Sequence, residues 1–340
     1  MNNRLGKKQL DRNSLLLFIT IALFVVMYGI GLVIFREKNF GNLQVFLNLF
    51  MNNAGVIVAS AGMVVVLLIG GIDLSIGSVM GFTCMLLAFL IEKKGVNTYT
   101  AIAIGLLAGT VFGAVQGFLV SHLKIQPFIV TLAGMYFMRG MTAVVSPDMI
   151  SITDATFLKI ATTKFYIPFG AVVNRAGKLL YPYLFVSVFI ALFVLLVLWF
   201  VLKYSKFGRA VYAIGGSEHA SMLMGLNVKR VKFQVYVLNG FLGAMAGFLF
   251  CLNSCGGFTE QGKGLEMEAL ASAVIGGTLL TGGVGNVIGS LFGVMIKGTI
   301  ESFITFQGSL PSSLTKISTA VLLGFFIILQ SILGRVKKRK

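Results

Sequence analysis

The sequence predicts an all-α polytopic membrane protein with about ten transmembrane helices, one or two of them broken or re-entrant, and both termini cytoplasmic. Three observations predict it. Of 340 residues, 57% are hydrophobic, and the mean hydropathy is +0.93; a soluble domain is about 45–50% apolar even when glycine is counted. Apolar runs recur along the chain near the ~20 residues that span a bilayer. One run is interrupted by Gly70-Gly71-Ile72-Asp73-Leu74-Ser75, a glycine pair followed by an acid.

Ten spans are expected: residues 15–35, 48–69, 74–91, 99–121, 127–145, 182–202, 232–253, 266–280, 286–304 and 313–333. Arg4, Lys7, Lys8 and Arg12 precede the first. It exceeds a signal-peptide core and lacks a small-residue cleavage site, so it reads as a retained span. Residues 1–14 are then a cytoplasmic tail, 15–333 a single transmembrane domain, and 334–340 a basic cytoplasmic tail.

Between the second and third spans, the glycine pair frees the backbone and removes side-chain packing. Asp73 at membrane depth costs ~2.5–3.5 kcal/mol even on the lenient insertion scale. Broken, polar backbone is tolerated there only where it lines a water-filled path or is buried in protein. Asp73 or Ser75 can cap the next helix, or contact a substrate; capping carries more weight, because both are common helix caps. The candidate path residues are Asn48, Asn52, Asn53, Gly70, Gly71, Asp73 and Ser75, with Asn48 and Asn52 on one helical face.

The longest external segment, 146–181, suits a cover over the outer mouth or a landing surface for an external protein. The longest internal segment is 203–232. There Ser217 can cap a short helix and Gly225 can end it. Ala220, Leu223 and Met224 share a face of that helix, an apolar plug for a groove on another protein. A helix lying on the membrane is the alternative. The eighth span is short and can be a broken helix. In the ninth, Gly285, Gly289 and Gly293 recur every four residues, a spacing that permits close helix packing. Ile69-Gly70-Gly71 through Gly77 is echoed weakly by Ile275-Gly276-Gly277 through Gly283, on the same membrane side by this span count.

The net charge of +17 suggests nucleic acid, but no nucleic-acid motif accompanies it. With the N-terminus inside, sixteen Lys and Arg fall in internal segments and nine in external ones, the bias expected of a membrane protein. Cys84, Cys251 and Cys255 lie in or beside spans, with no disulfide or zinc-site spacing. The segment 257–264 approaches a phosphate-binding loop, but Gly264 replaces the Mg²⁺-binding hydroxyl, so no nucleotide site is expected. Glu266 and Glu268 are read as marking a helix N-terminus, and Glu301 as a partner of Lys297 at i,i+4 spacing. No Ser/His or His/Asp pair falls within a span. The absence of a charged cluster suits a neutral solute.

Residues 70–78, GGIDLSIGS, resemble the signature of the permease subunits of sugar ABC importers of the ribose, xylose and galactose type, in the branched-chain amino acid/ribose permease superfamily. Tyr212-Ala213-Ile214-Gly215-Gly216, with Leu223-Met224-Gly225, is similar to the cytoplasmic loop of that family, and 275–285 to its glycine-rich late segment. The likeness runs in family order over 45–333. Thr131-Leu132-Ala133-Gly134-Met135 with Arg139-Gly140, and residues 298–306, look closest to the galactofuranose branch. The resemblance implies a bacterial cytoplasmic (inner) membrane protein that forms the path for a monosaccharide delivered by an extracytoplasmic sugar-binding protein. It implies that Ser217, Glu218, His219, Ala220, Leu223, Met224 and Gly225 form a coupling helix on a tandem-cassette ATP-binding subunit. ATP and Mg²⁺ would then sit on that partner, with no cofactor on this chain. It also implies a dimer with a second copy or, from the galactofuranose-like branch, a paralogous permease. A stand-alone sugar transporter or facilitator is the second reading, and a membrane-embedded enzyme the third.

Overall fold

A computed structural model describes residues 3–173, 179–308 and 313–336. Arg175 and Lys178 of the external charge count, and 337–340 of the basic tail, lie outside the described residues. The described chain is a bundle of α-helices: α1 (Asn3–Ile34), α2 (Leu43–Leu68), α3 (Ile76–Ala88, continued by a wider turn over Phe89–Lys93), α4 (Thr98–Ser121), α5 (Pro127–Val145), α6 (Ala155–Thr162), α7 (Val186–Tyr204), α8 (Lys206–Gly216), α9 (Glu218–Leu223), α10 (Val228–Ser254), α11 (Leu265–Ile275), α12 (Val287–Gln307) and α13 (Ser313–Val336). Asparagine side chains cap several of them. Asn97 accepts from Tyr99 N–H, Asn227 from Arg230 N–H and Asn286 from Ile288 N–H, satisfying otherwise orphaned donors. Pro127 opens α5 at its first turn, where the missing N–H costs nothing.

Among the described residues, eight helices are long and apolar enough to cross a membrane, and α13 contributes the shorter apolar stretch Ile317–Ile328. At 1.5 Å per residue the eleven residues of α11 reach about 16 Å, half a bilayer core. The short eighth span is therefore a half-helix. Several helices outrun their apolar windows. α10 starts at Val228 rather than 232, and carries Lys229, Arg230 and Lys232 in its first turns. Charges end a hydropathy run but not a helix, because long basic side chains reach out to water.

α2 is the hub. Every side chain from Asn53 to Leu68 is buried, as expected for a helix that is apolar all round. It packs against α10, α12, α11 and α7. α4 lies closest to α10: a Cβ on Gly240 would collide with the backbone of Gly109 and Gly113, so small residues let these two helices meet at backbone distance. The segment after α5 builds α6 and short antiparallel ribbons. Ile150–Ser151 pairs with Gly256–Gly257, Lys164–Tyr166 with Tyr183–Phe185, and Val172–Val173 with Leu179–Leu180. Phe157 of α6 is fully buried, so α6 is anchored on the bundle.

Candidate functional site

Gly70 follows α2 with φ +76, a left-handed conformation that glycine adopts without a steric cost. The chain then turns back into the protein. Asp73 is 3% exposed. Its Oδ1 accepts from Ser75 N–H at 2.7 Å and from Ser75 Oγ at 2.6 Å, while Asn239 Nδ2 of α10 donates to Oδ2. Gln116 Nε2 of α4 donates to Ser75 Oγ at 3.0 Å, and Thr131 Oγ1 of α5 to Ile72 O at 3.2 Å. Of the two expected caps, only that of Ser75 is corrected here; Asp73 does take up a free backbone N–H at the break. Ser75 holds the N-cap position of α3 but its side chain caps nothing, because that hydroxyl is committed to Asp73. Asp73 makes a local Asx turn two residues on and braces the break against α10.

A second break lies at residues 276–286, and it meets the first. Gly283 N–H donates to Leu68 O at 2.9 Å. A Cβ on Gly282 would lie 2.9 Å from Gly70 N, and one on Gly215 2.9 Å from Gly283 Cα. Tyr212 Oη of α8 donates to Gly285 O at 2.9 Å; burial raises its phenol to about 12. The two echoed glycine stretches and the end of α8 therefore share one junction. α8 itself is helical where the sequence predicts only a loop. Gly289 and Gly293 pack against the backbone of Gly276 and Ser272, as their spacing suggests; Gly285 does not, since it precedes α12 and faces the Thr278 side chain.

α11 carries its acids into ion pairs. Glu266 accepts from Arg139 of α5 at 2.7 Å. Lys297 of α12, 5% exposed, pairs with Glu268 at 2.7 Å and with Glu301 at 2.8 Å, and its Nζ lies 3.4 Å from Asn53 Oδ1. The Lys297–Glu301 pairing is as expected. The expectation that no charged cluster lines the spans is overturned, and Glu266 and Glu268 do more than favour a helix N-terminus. Arg139, Gln116, Asn239 and Lys297 each carried the same signal in sequence, a polar side chain inside an apolar run.

The path candidates fall into two groups. Asn48, Asn52 and Asn53 line a cavity of about 190 Å³ between α2 and α12, with Glu301, Ser302, Thr305 and Phe306. Asn52 is exposed, and Asn48 accepts from Gln44 Nε2 at 2.8 Å. Gly70, Gly71, Asp73 and Ser75 do not line it; they belong to the junction network. On the opposite surface, Ser217 Oγ accepts from Ala220 N–H, and Gly225 ends α9 with φ +78. Glu218 is exposed and pairs with Lys232 at 2.7 Å; His219 and Ala220 are also exposed, as are Met222, Leu223 and Met224, with Leu223 at 77%. Among the described residues no cluster of His, Cys, Asp and Glu could hold a metal ion.

A family model described as "Branched-chain amino acid transport system / permease component" matches residues 45–330. The inner membrane ABC transporter permease protein YjfF of Escherichia coli K12 is 39% identical over 319 residues, covering 94% of this chain and 92% of that protein. The fructose import permease protein FruG of Bifidobacterium longum is 31% identical over 95% of this chain and 92% of its own length. The ribose import permease protein RbsC of Bacillus subtilis is 35% identical over 81% of this chain and 80% of its own. No solved structure matches the chain.

Proposed function

The chain belongs to the branched-chain amino acid transport system / permease component family, and from that footing we propose a path, a coupling surface and partners for it. It is a permease component of an ABC sugar importer, a transport subunit rather than an enzyme, and a multi-pass protein of the cytoplasmic membrane. The cargo is a monosaccharide, in keeping with relatives named for ribose and fructose import; galactofuranose is the finer expectation from residues 131–140 and 298–306. An ATP-binding subunit with tandem cassettes docks on α9 and carries the ATP and Mg²⁺. An extracytoplasmic binding protein delivers the sugar. A second permease, a copy or a paralogue, completes the path.

One observation carries the coupling role. α9 presents Leu223 and Met224 to solvent, and α8, directly before it, packs Gly215 in its last turn against Leu68 and Gly283. Force applied to α9 is thus passed through α8 to the junction of both broken segments. Elements that adjoin backbone to backbone transmit displacement, since packed protein has little slack. The test is uptake of radiolabelled ribose, fructose and galactose into proteoliposomes that hold this chain with its ATP-binding subunit, permease partner and binding protein. Uptake of one sugar that requires ATP inside the compartment served by α9 is expected. Equal uptake without the ATP-binding subunit would replace this reading with a stand-alone transporter.

A further inference from the structure

We propose that the cavity between α2 and α12 is a subsite that holds a neutral monosaccharide on its way through the membrane, with Glu301 as its principal hydrogen-bond acceptor. The inference rests on the importer reading and deepens it. The cavity lies toward the N-terminal end of α2 and the C-terminal end of α12, away from the glycine junction at the opposite ends of both helices.

Its lining is unsuited to lipid. Asn52 and Thr305 are exposed, and Asn48, Glu301 and Ser302 are partly so. Five polar side chains on one outward strip of a membrane bundle have to face water or protein, since hydrocarbon gives them no partners. Amides, hydroxyls and a carboxylate both donate to and accept from sugar hydroxyls, and Phe306 closes the cavity with an apolar wall. A few precisely placed polar groups beside one aromatic side chain is the lining expected of a small-molecule site.

Glu301 is held ready by its neighbours. Its Oε1 accepts from Lys297, while 36% of the side chain remains accessible. Lys297 is fixed in turn by Glu268 and faces Asn53. Lys297 and Glu268 are positioning residues: they lie behind the cavity and do not line it. Two carboxylates against one ammonium leave the group with one net negative charge, so the subsite favours neutral sugars and repels sugar phosphates.

Single cysteines at Asn52, Ser302 and Thr305, in a Cys255→Ser background, test this in the reconstituted importer with a water-soluble, membrane-impermeant thiol reagent. Labelling is followed alone and with D-ribose, D-fructose, D-galactose or ribose 5-phosphate. All three positions are expected to label from water. The transported sugar, at about ten times its dissociation constant, should slow labelling about tenfold by mass action; ribose 5-phosphate should not. Glu301→Gln should abolish protection while the three cysteines still label, and should lower uptake about tenfold or more, as removing a charged hydrogen-bond acceptor does. Labelling without protection by any sugar would overturn the subsite and leave the importer reading intact. Failure of all three cysteines to label would overturn the subsite too, by placing this strip in a protein interface or against lipid. Protection by ribose 5-phosphate equal to that by the sugars would overturn the stated specificity.

Discussion

Asp73 accepts three hydrogen bonds, from Ser75 N–H, Ser75 Oγ and Asn239 Nδ2, and their number predicts how substitutions rank. In Asp73→Asn, the amide oxygen still accepts from Ser75. The new amide nitrogen faces Asn239, whose Oδ1 has no hydrogen-bond partner among the described residues; a flip of that amide restores a bond. Asp73→Leu strands the Ser75 N–H and the Asn239 amide, while Ser75 Oγ still has Gln116 Oε1 at 3.2 Å; each buried orphan costs about 1–3 kcal/mol. Gly71→Leu meets a different obstacle, because a Cβ there would lie 2.7 Å from Tyr236 Oη and 3.1 Å from a Val66 methyl. Sugar uptake normalised to membrane protein level should therefore stay within a few-fold of wild type for Asp73→Asn and be lost in the other two. A dead Asp73→Asn beside an active Gly71→Leu would make the carboxylate an ion-binding or chemical group. Lys297 poses the opposite problem. Lys297→Met leaves Glu268 and Glu301 facing each other without a cation; both acids are partly solvated, so the loss falls below the ~3–5 kcal/mol of a fully buried pair. Adding Glu268→Gln should return part of that stability, read as the thermal midpoint of the detergent-solubilised protein.

The separate elements were legible to different degrees. Helix positions followed from apolar length, and the Ser217 cap and Gly225 stop followed from local turn chemistry that involves only neighbours in sequence. α8 was missed because its Gly-rich end reads as loop, although Ser205 caps its start by accepting from Gly208 N–H; the contact of Gly215 with Leu68 and Gly283 is one that no local signal reports. α9 predicts a coupling defect. If α9 docks as proposed, Leu223→Asp with Met224→Asp brings two carboxylates into an apolar contact, at a cost of several kcal/mol. ATP-driven uptake and co-purification with the ATP-binding subunit should both fall at least tenfold at normal membrane levels; unchanged co-purification would remove α9 from the interface. α6 predicts a pH effect. The Thr98 hydroxyl, then the Phe157 N–H, hold the Asp154 carboxyl below the usual carboxylate range. A carboxyl lowered on folding contributes fully above its unfolded value of about 3.9 and is lost as pH falls through its folded value. Hydrogen exchange of the Phe157 and Leu158 amides should therefore gain a stability loss below about pH 4, and Asp154→Ala should show that loss already at neutral pH.

At the scale of the whole molecule, the apolar helices and the importance of residues 70–78 could be read in one dimension, but the meeting of three glycine segments from α2, α8 and α11 could not. Each glycine is ordinary in its own window, and only the folded contacts of Leu68, Gly215 and Gly283 reveal why no side chain fits. The same contacts fix which helix ends lie together, and so lead to an orientation. The end of α2, the end of α8 and the turn before α12 adjoin one another, while the ribbon of Ile150–Ser151 with Gly256–Gly257 joins the turns that follow α5 and α10. α10 runs from the first group towards the second, since it starts just after α9 and ends at Ser254. The α8–α9 side holds Lys203, Lys206, Arg209, Lys229, Arg230 and Lys232, and positive charge marks the cytoplasmic side. We therefore expect α9 inside and the 146–181 segment outside. A cysteine at Tyr166, 65% exposed, should react with an impermeant thiol reagent in intact spheroplasts. In cells that lack the ATP-binding subunit, a cysteine at Leu223, 77% exposed, should react only after the membrane is opened. The reverse pattern would invert the protein, move α9 away from any ATP-binding subunit, and bring down the coupling role along with the orientation.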